Sequence, residues 1–179
     1  MPAVVILEYV VADAGSGPYA VTTGPDGALW FTMVHSGEIG RLLPGGEPTR
    51  HRLDPGSGPT IIVPGPDDAL WFTEYRAHRI GRITTDGAVH EFGLPTPDCG
   101  PFGIAAGPDG ALWFTETAAD RIGRITTDGH VTEFPLPGTR SFRPNLVWVT
   151  VAGVSLAMAL VLWALALSRW SRDRASTPG

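Results

Sequence analysis

The chain has 179 residues, of which 13 are basic and 18 acidic, so its formal net charge is −5. All of the basic residues are Arg, and residues 1–139 contain eight of them against 17 acidic residues. This acidic region lacks the dense cationic surface that a phosphate backbone requires, which excludes nucleic-acid binding. A single Cys, Cys99, excludes an internal disulfide. The many Gly and Pro residues, 23 and 17, favour short strands and turns over helices.

Three internal repeats occupy most of the chain and predict its architecture. Trp-Phe-Thr and Ile-Gly-Arg each occur three times, and both motifs recur after 41 and then 42 residues. A Gly-Pro pair opens every repeat, and a Gly-Pro-Asp turn precedes every repeated Trp. The repeats span 17–57, 58–99 and 100–137. Four landmarks in the same order three times predict three copies of one structural unit.

Turn residues divide each repeat into four short apolar segments. In the third repeat these segments cover 102–106, 111–116, 121–126 and 130–136. Asp-Gly between apolar segments is a strong hairpin signal, because Gly accepts a positive φ. Four antiparallel strands in 41 or 42 residues match the size of a β-propeller blade. The sequence therefore predicts an all-β fold with three propeller-type blades over 1–139.

A further strand is predicted before the first repeat, over 5–12. Its Glu-Tyr pair at 8–9 corresponds to Glu-Phe at 91–92 and 133–134, in the fourth strand of the later repeats. The strand would therefore complete a blade whose other strands lie elsewhere. Propellers close with roughly 4–8 blades, so three blades form an incomplete ring. Either a homo-oligomer completes the ring, or the chain is a truncated or rearranged copy of a longer one.

The composition changes after residue 139. A linker is predicted over 140–145, and the next segment, 146–167, has 22 residues without a charge. A helix of that length spans about 33 Å, close to the hydrocarbon core of a bilayer. The sequence predicts a single transmembrane helix over 146–167, followed by a basic tail over 168–179. A buried core helix is the alternative, and the side of the membrane that carries the repeats stays open.

The repeated Trp and Phe residues are interpreted as packing residues between adjacent blades. The Gly of each Ile-Gly-Arg motif is expected to let a neighbouring backbone or ring approach closely. Its Arg is expected to project outward or to pair with an acid of the next unit. The five His residues are expected to lie in solvent. Cys99, in a loop between repeats, would be reactive if it were exposed.

The segments GPDGALWFTE, RIGRITTDG and VTEFPLP, with an opening GPY, resemble the streptogramin lyases, also called virginiamycin B lyases. The resemblance covers about residues 5–139 and implies the first three blades of a seven-bladed β-propeller. It also implies an Mg²⁺-dependent elimination that opens cyclic depsipeptide antibiotics at their ester linkage. In such a reaction a neutral His accepts the α-proton, and the metal offsets the charge that develops on the enolate.

The resemblance also implies roles for individual positions. The family's catalytic His and a substrate-contacting His follow the Pro of the opening dipeptide in late blades, where these repeats have Tyr19, Thr60 and Phe102. One metal carboxylate precedes that Pro, where each repeat has Gly. Tyr19 resembles a substrate-binding Tyr, and Glu74 and Glu116 resemble a carboxylate that binds Mg²⁺. The alternatives are a packing role for Tyr19 and, for both Glu residues, a strand-end acid that is exposed or paired with Arg.

Two functions from different classes follow from these features. The first is a lyase-like protein for cyclic depsipeptides that lacks the catalytic His and the late blades, and is therefore inactive alone. The second is a membrane-tethered propeller module that binds a ligand or a protein without catalysis. A third interpretation is a broken propeller that has been joined to a membrane span and has no function.

Overall fold

A computed structural model describes residue 6 and residues 8–137 of the chain. This part contains twelve β-strands and no helix, so it offers no helix able to cross a bilayer. The chain divides into two units at Thr139 and Arg140, and every described residue belongs to the first. The predicted linker, the predicted transmembrane helix over 146–167 and the basic tail lie outside the described residues.

The twelve strands form three antiparallel sheets of four, which we call blades 1, 2 and 3. In each sheet the strands follow one another in chain order, so each blade is a meander of hairpins. Blade 1 consists of β1 (Pro18–Thr23), β2 (Leu29–Met33), β3 (Glu38–Leu42) and β4 (Thr49–Arg52). Blade 2 consists of β5 (Pro59–Pro64), β6 (Leu70–Glu74), β7 (Arg79–Ile83) and β8 (Val89–Gly93). Blade 3 consists of β9 (Pro101–Ala106), β10 (Leu112–Glu116), β11 (Arg121–Ile125) and β12 (Val131–Pro135).

These boundaries confirm the predicted strands of the third repeat to within one residue. The turns also have the predicted chemistry, since Gly87 and Gly129 adopt φ of 94° and 92° in the last hairpins of blades 2 and 3. Such angles are accessible to Gly at little cost. Local turn residues therefore determine where each strand ends.

The second and third strands of each blade pair the Trp-Phe-Thr motif with the Ile-Gly-Arg motif. In blade 2, Phe72 lies opposite Gly81. A Cβ atom added to Gly81 would approach the Phe72 ring to 2.1 Å, far inside van der Waals contact. The same relationship holds in blades 1 and 3. The prediction that this Gly allows a close approach is confirmed, and the approaching group is the Phe ring of the same blade.

The Arg of each Ile-Gly-Arg motif binds an acid of its own blade. In blade 3, Arg124 Nε donates to Asp109 at 2.7 Å, and Trp113 Nε1 donates to the same carboxylate at 3.0 Å. Blades 1 and 2 repeat this Asp-Trp-Arg arrangement. Hydrogen bonds from Trp113 and Arg124 lower the pKa of Asp109 to about 2. Of the two expectations for this Arg, pairing with an acid of the next unit was wrong, because the Asp of the preceding turn in the same blade binds it.

Apolar side chains hold adjacent blades together. Trp30 and Ile39 of blade 1 pack with Phe72 and Ile83 of blade 2 in one core. The corresponding residues of blades 2 and 3 form a second core, which includes Trp71 and Phe114. Burial of these large side chains is the main stabilising contribution to the stack. The predicted inter-blade packing role is confirmed for Trp30 and Trp71. Each of the three Trp rings also stacks on a ring of its own blade, and Trp113 has no further described blade to pack against.

The described residues of the segment before blade 1, 6 and 8–12, have no ladder partner in the described part of the chain. The blade that the strand over 5–12 would complete is expected to lie elsewhere, so this strand stays a prediction. Val11 and Ala12 pack against Phe31, Met33 and Leu42.

Candidate functional site

The first strand of each blade begins at the same edge at which the second strand ends. Pro59 is opposite Glu74 in blade 2, and Pro101 is opposite Glu116 in blade 3. Pro18 is opposite Met33 in blade 1. The residues that follow these Pro residues therefore lie at the same edge as the strand-end Glu residues. The fold thus brings Tyr19, Glu74 and Glu116, the predicted site residues, to one edge of the stack.

Three aromatic rings meet at this edge. The ring of Phe102 in blade 3 contacts the edges of Tyr19 and Tyr75, with centroid distances of 6.1 and 6.2 Å and interplanar angles of 86° and 87°. Tyr19 belongs to blade 1, and Tyr75 directly follows β6 of blade 2. T-shaped contacts of this kind are favourable for aromatic pairs. We call Tyr19, Tyr75 and Phe102 the aromatic cluster.

The aromatic cluster remains accessible although all three blades contribute to it. Tyr19 is 52% exposed and Tyr75 is 40% exposed, while Phe102 is half-buried between them. Gly100, with φ of 59°, makes room for Tyr75, because an added Cβ atom would lie 3.0 Å from that ring. Exposed rings fixed by their neighbours form a surface suited to apolar or aromatic groups of a ligand.

Sequence reasoning missed two members of the aromatic cluster. From the sequence, Phe102 is only the residue at the position of the family's His, and Tyr75 is not among the predicted site residues. Each had a signal, since Phe102 occupies the position of Tyr19 in its own repeat and Tyr75 follows a predicted site residue, Glu74.

Threonine hydroxyl groups fix the backbone of this edge from the preceding blade. Thr73 Oγ1 in blade 2 donates to the carbonyl oxygen of Phe102 in blade 3 at 2.7 Å. Thr32 Oγ1 in blade 1 donates to the carbonyl oxygen of Thr60 in blade 2 at 2.6 Å. Each hydroxyl also accepts a backbone N–H within its own blade. The Thr of Trp-Phe-Thr therefore sets the position of the residue that follows the opening Pro of the next blade.

Glu74 is fully buried and paired with Arg. Its Oε2 accepts from Arg79 at 3.1 Å, and Arg79 also binds Glu91 at 3.2 Å. Burial and, next, repulsion by Glu91 raise the pKa of Glu74 to about 7, against the opposing effect of Arg79. The structure therefore supports the Arg-paired alternative for Glu74.

Glu116 is 1% exposed, and among the described residues neither of its carboxylate oxygens has a hydrogen-bond partner. Arg121 lies opposite Glu116 on the neighbouring strand. Its guanidinium nitrogen Nη1 is 3.6 Å from Oε2 of Glu133. Burial and, next, the negative charge of Glu133 raise the pKa of Glu116 to about 7. This side chain is therefore neither the exposed acid nor the Arg-paired acid of the alternative prediction. Its burial depends on contacts between distant segments, which the sequence pattern does not reveal.

The described residues do not fit a magnesium site. Within residues 6 and 8–137, no three His, Cys, Asp or Glu side chains form a group able to hold a metal ion. Glu74 and Glu116 belong to different blades, and Glu74 is already bound to Arg79. Mg²⁺ prefers an octahedral set of oxygen ligands. We therefore derive no chemical step through a metal from these residues.

The remaining candidate nucleophiles and bases have structural roles or lie in solvent. Cys99 is buried, and burial raises the pKa of its thiol to about 11, so it is not a reactive thiolate. His51 stacks on Trp30, and His78 Nδ1 accepts the N–H of Gly100 at 3.2 Å. The expectation of solvated His residues was wrong for His51 and His78, which pack against neighbouring segments. It is confirmed for the three other His residues, 35, 90 and 130.

A family model matches residues 4–156, and its description is the virginiamycin B lyase family. The chain is 62% identical over 92 residues to a virginiamycin B lyase from Saccharopolyspora erythraea, a match covering 51% of this chain and 31% of the relative. The crystal structure of virginiamycin B lyase from Staphylococcus aureus superimposes with a TM-score of 0.73 at 46% identity. That match covers 76% of this chain and 47% of the solved chain. A catalytically inactive variant of the S. aureus enzyme, solved with quinupristin, matches to the same extent. The chain therefore spans about half the length of the solved lyase.

Proposed function

The chain belongs to the virginiamycin B lyase family, and on this premise we propose that its three blades bind a cyclic depsipeptide without opening it. The aromatic cluster carries the proposal. It lies at the edge to which the resemblance assigns substrate contacts, and two of its three rings are substantially exposed. The solved relative with quinupristin supports the choice of ligand class.

Binding would rest on the faces and edges of the three rings. An apolar or aromatic side group of the cyclic peptide would contact Tyr19 and Tyr75, with Phe102 as the support between them. The phenolic hydroxyl groups of both Tyr residues would donate hydrogen bonds to carbonyl oxygens of the peptide. Because the inter-blade hydrogen bond from Thr73 fixes Phe102, little conformational entropy would be lost on binding.

We expect the depsipeptide ring to stay closed because of the residues that occupy the positions of the family's catalytic His. Tyr19, Thr60 and Phe102 follow the opening Pro residues, and none of these side chain types accepts a proton efficiently near pH 7. Gly precedes each of these Pro residues, where the resemblance implies a metal carboxylate. The chain would thus hold the peptide without removing its α-proton.

Calorimetric titration of the detergent-solubilised full chain with quinupristin tests this proposal. We expect saturable binding that Phe102→Ala weakens at least tenfold. Phe134→Ala is the matched control, since Phe134 is an aromatic residue of the same blade whose partner is Trp113 rather than the aromatic cluster. Unchanged affinity in Phe102→Ala, with the fold intact by circular dichroism, would contradict the proposal.

We also propose that 146–167 tethers these blades to a membrane, as its uncharged sequence predicts. Extraction of cell membranes at alkaline pH is the test. The chain should remain in the membrane pellet, and its complete release into the supernatant would contradict a transmembrane anchor.

A further inference from the structure

The interface between blades 1 and 2 and the interface between blades 2 and 3 are formed by residues at equivalent positions of the repeat. In each, a Trp and an Ile of the earlier blade pack on four apolar residues of the later blade. We call the first set the trailing face and the second set the leading face. In blade 2 the leading face is Ile62, Leu70, Phe72 and Ile83. In blade 3 it is Ile104, Leu112, Phe114 and Ile125. The chain therefore contains two examples of one interface.

The leading face of blade 1 has apolar residues at the same four positions and lines an apolar gap. Its four residues are Val21, Leu29, Phe31 and Leu42, and they surround a gap of about 300 Å³. Val21 is 66% exposed, whereas its counterpart Ile62 is 3% exposed beneath blade 1. Ala12 packs against this face at the position that Leu53 and Leu94 occupy in the two internal interfaces.

The trailing face of blade 3 lines a second apolar gap. Trp113, Ile122 and Ala105 border a space of about 310 Å³. Of their counterparts in blade 2, Trp71 and Ile80 are fully buried against blade 3, and Val63 is partly buried there. Each end of the described stack thus presents one half of the interface that the chain builds twice internally.

The donor and the acceptor of a further inter-blade hydrogen bond lie on the two opposite ends of the described stack. Thr115 Oγ1 accepts the N–H of Gly103 at 2.9 Å, as Thr73 accepts that of Ile61. Among the described residues no acceptor receives the hydroxyl proton of Thr115. The matching acceptor is the carbonyl oxygen after the opening Pro of a following blade, and blade 1 has this group at Tyr19. The two end faces therefore carry complementary hydrogen-bonding groups as well as apolar residues.

We infer that the trailing face of blade 3 binds the leading face of blade 1 in a second copy of the chain. This inference goes beyond ligand binding. The contact is head-to-tail, so it generates a closed ring if the rotation between copies permits closure and a longer assembly if it does not. Its occupant is a second copy because each face presents apolar side chains at the positions that form the internal interfaces, with Trp113 and Ile122 where blade 2 has Trp71 and Ile80.

Complementation between two surface variants tests this inference. Val21→Asp places a charge on the leading face, and Ala105→Asp places one on the trailing face; both side chains are exposed in the described stack. The full chain in detergent should be a dimer or larger by light scattering, and each variant alone should be monomeric. An equimolar mixture of the two should form a dimer that grows no further, because it retains one intact face of each kind.

Ala88→Asp is the control, since Ala88 is an exposed alanine in the β7–β8 hairpin, and it should associate like the parent chain. A monomeric parent chain would overturn the inference, and so would a mixture that stays monomeric. If Val21→Asp and Ala105→Asp both remain oligomeric, the inference is also overturned. Association would then be assigned to the apolar segment 146–167. Circular dichroism of each variant checks that a loss of association does not reflect unfolding.

Discussion

The hydroxyl group of Thr73 in blade 2 lies 2.7 Å from the carbonyl oxygen of Phe102 in blade 3 and donates a hydrogen bond to it. Thr73 is fully buried, so water cannot replace this bond. The contact links the stability of the stack to the aromatic cluster, because Phe102 is the ring against which both Tyr side chains rest.

Thr73→Val should therefore destabilise the stack. It keeps the shape of the side chain but leaves the Phe102 carbonyl, the Ile61 N–H and the Thr60 hydroxyl without their partner, at a cost of about 1–3 kcal/mol. Thr117→Val is the control, since Thr117 Oγ1 donates to the carbonyl oxygen of Gly100 within the same repeat and makes no inter-blade bond among the described residues. Denaturant unfolding should show a larger decrease in the free energy of unfolding for Thr73→Val than for the control. Equal decreases in the two variants would argue against the inter-blade hydrogen bond.

Gly81→Ala should destabilise blade 2 strongly. Its new methyl group would overlap the buried Phe72 ring, and such overpacking costs about 1–3 kcal/mol or more. Gly93→Ala is a control at the end of β8, where an added Cβ atom meets nothing within 4 Å. Thermal unfolding should separate the two variants clearly. A Gly81→Ala protein as stable as Gly93→Ala would show that the ring does not lie against this glycine.

Glu116→Gln should stabilise the protein at pH 8 and have little effect at pH 4.5. The pKa of Glu116 is raised to about 7 in the folded protein, whereas an unfolded Glu titrates near 4.3. Between these values the unfolded chain has lost a proton that the folded chain retains, so stability falls as the pH rises. Above about pH 7 the full penalty, on the order of 1–3 kcal/mol, is present.

The neutral Gln should remove this penalty, and melting curves at the two pH values would measure it. Glu47→Gln, at an exposed position, is the control for the change in net charge. A Glu116→Gln protein that is less stable than the parent at pH 8 would indicate that the carboxylate has a partner that its charge stabilises.

The strands and their grouping into blades were predictable because their signals are local. Asp-Gly turns, the spacing of Trp-Phe-Thr and the opening Gly-Pro pairs lie within one repeat. The position of Tyr19 beside the strand-end acids also follows from the repeat, since it depends only on where strands begin and end.

Other features depend on contacts between distant segments. Arg121 is directed to Glu133 and not to the buried Glu116, and the repeat pattern shows no preference between these two acids. The aromatic cluster joins three repeats, so no single repeat contains it. The segment over 5–12 has the sequence of a strand but no described neighbour with which to pair.

Mass spectrometry of quinupristin incubated with the full chain and Mg²⁺ tests the central claim most directly. Hydrolytic opening adds one water to the mass, whereas elimination at the ester leaves the mass unchanged and yields a linear product that chromatography separates. We predict that the peptide binds and is recovered intact as the cyclic form. Conversion to a linear product above the rate without protein, lost in Glu116→Gln, would contradict the account and assign catalysis to these blades.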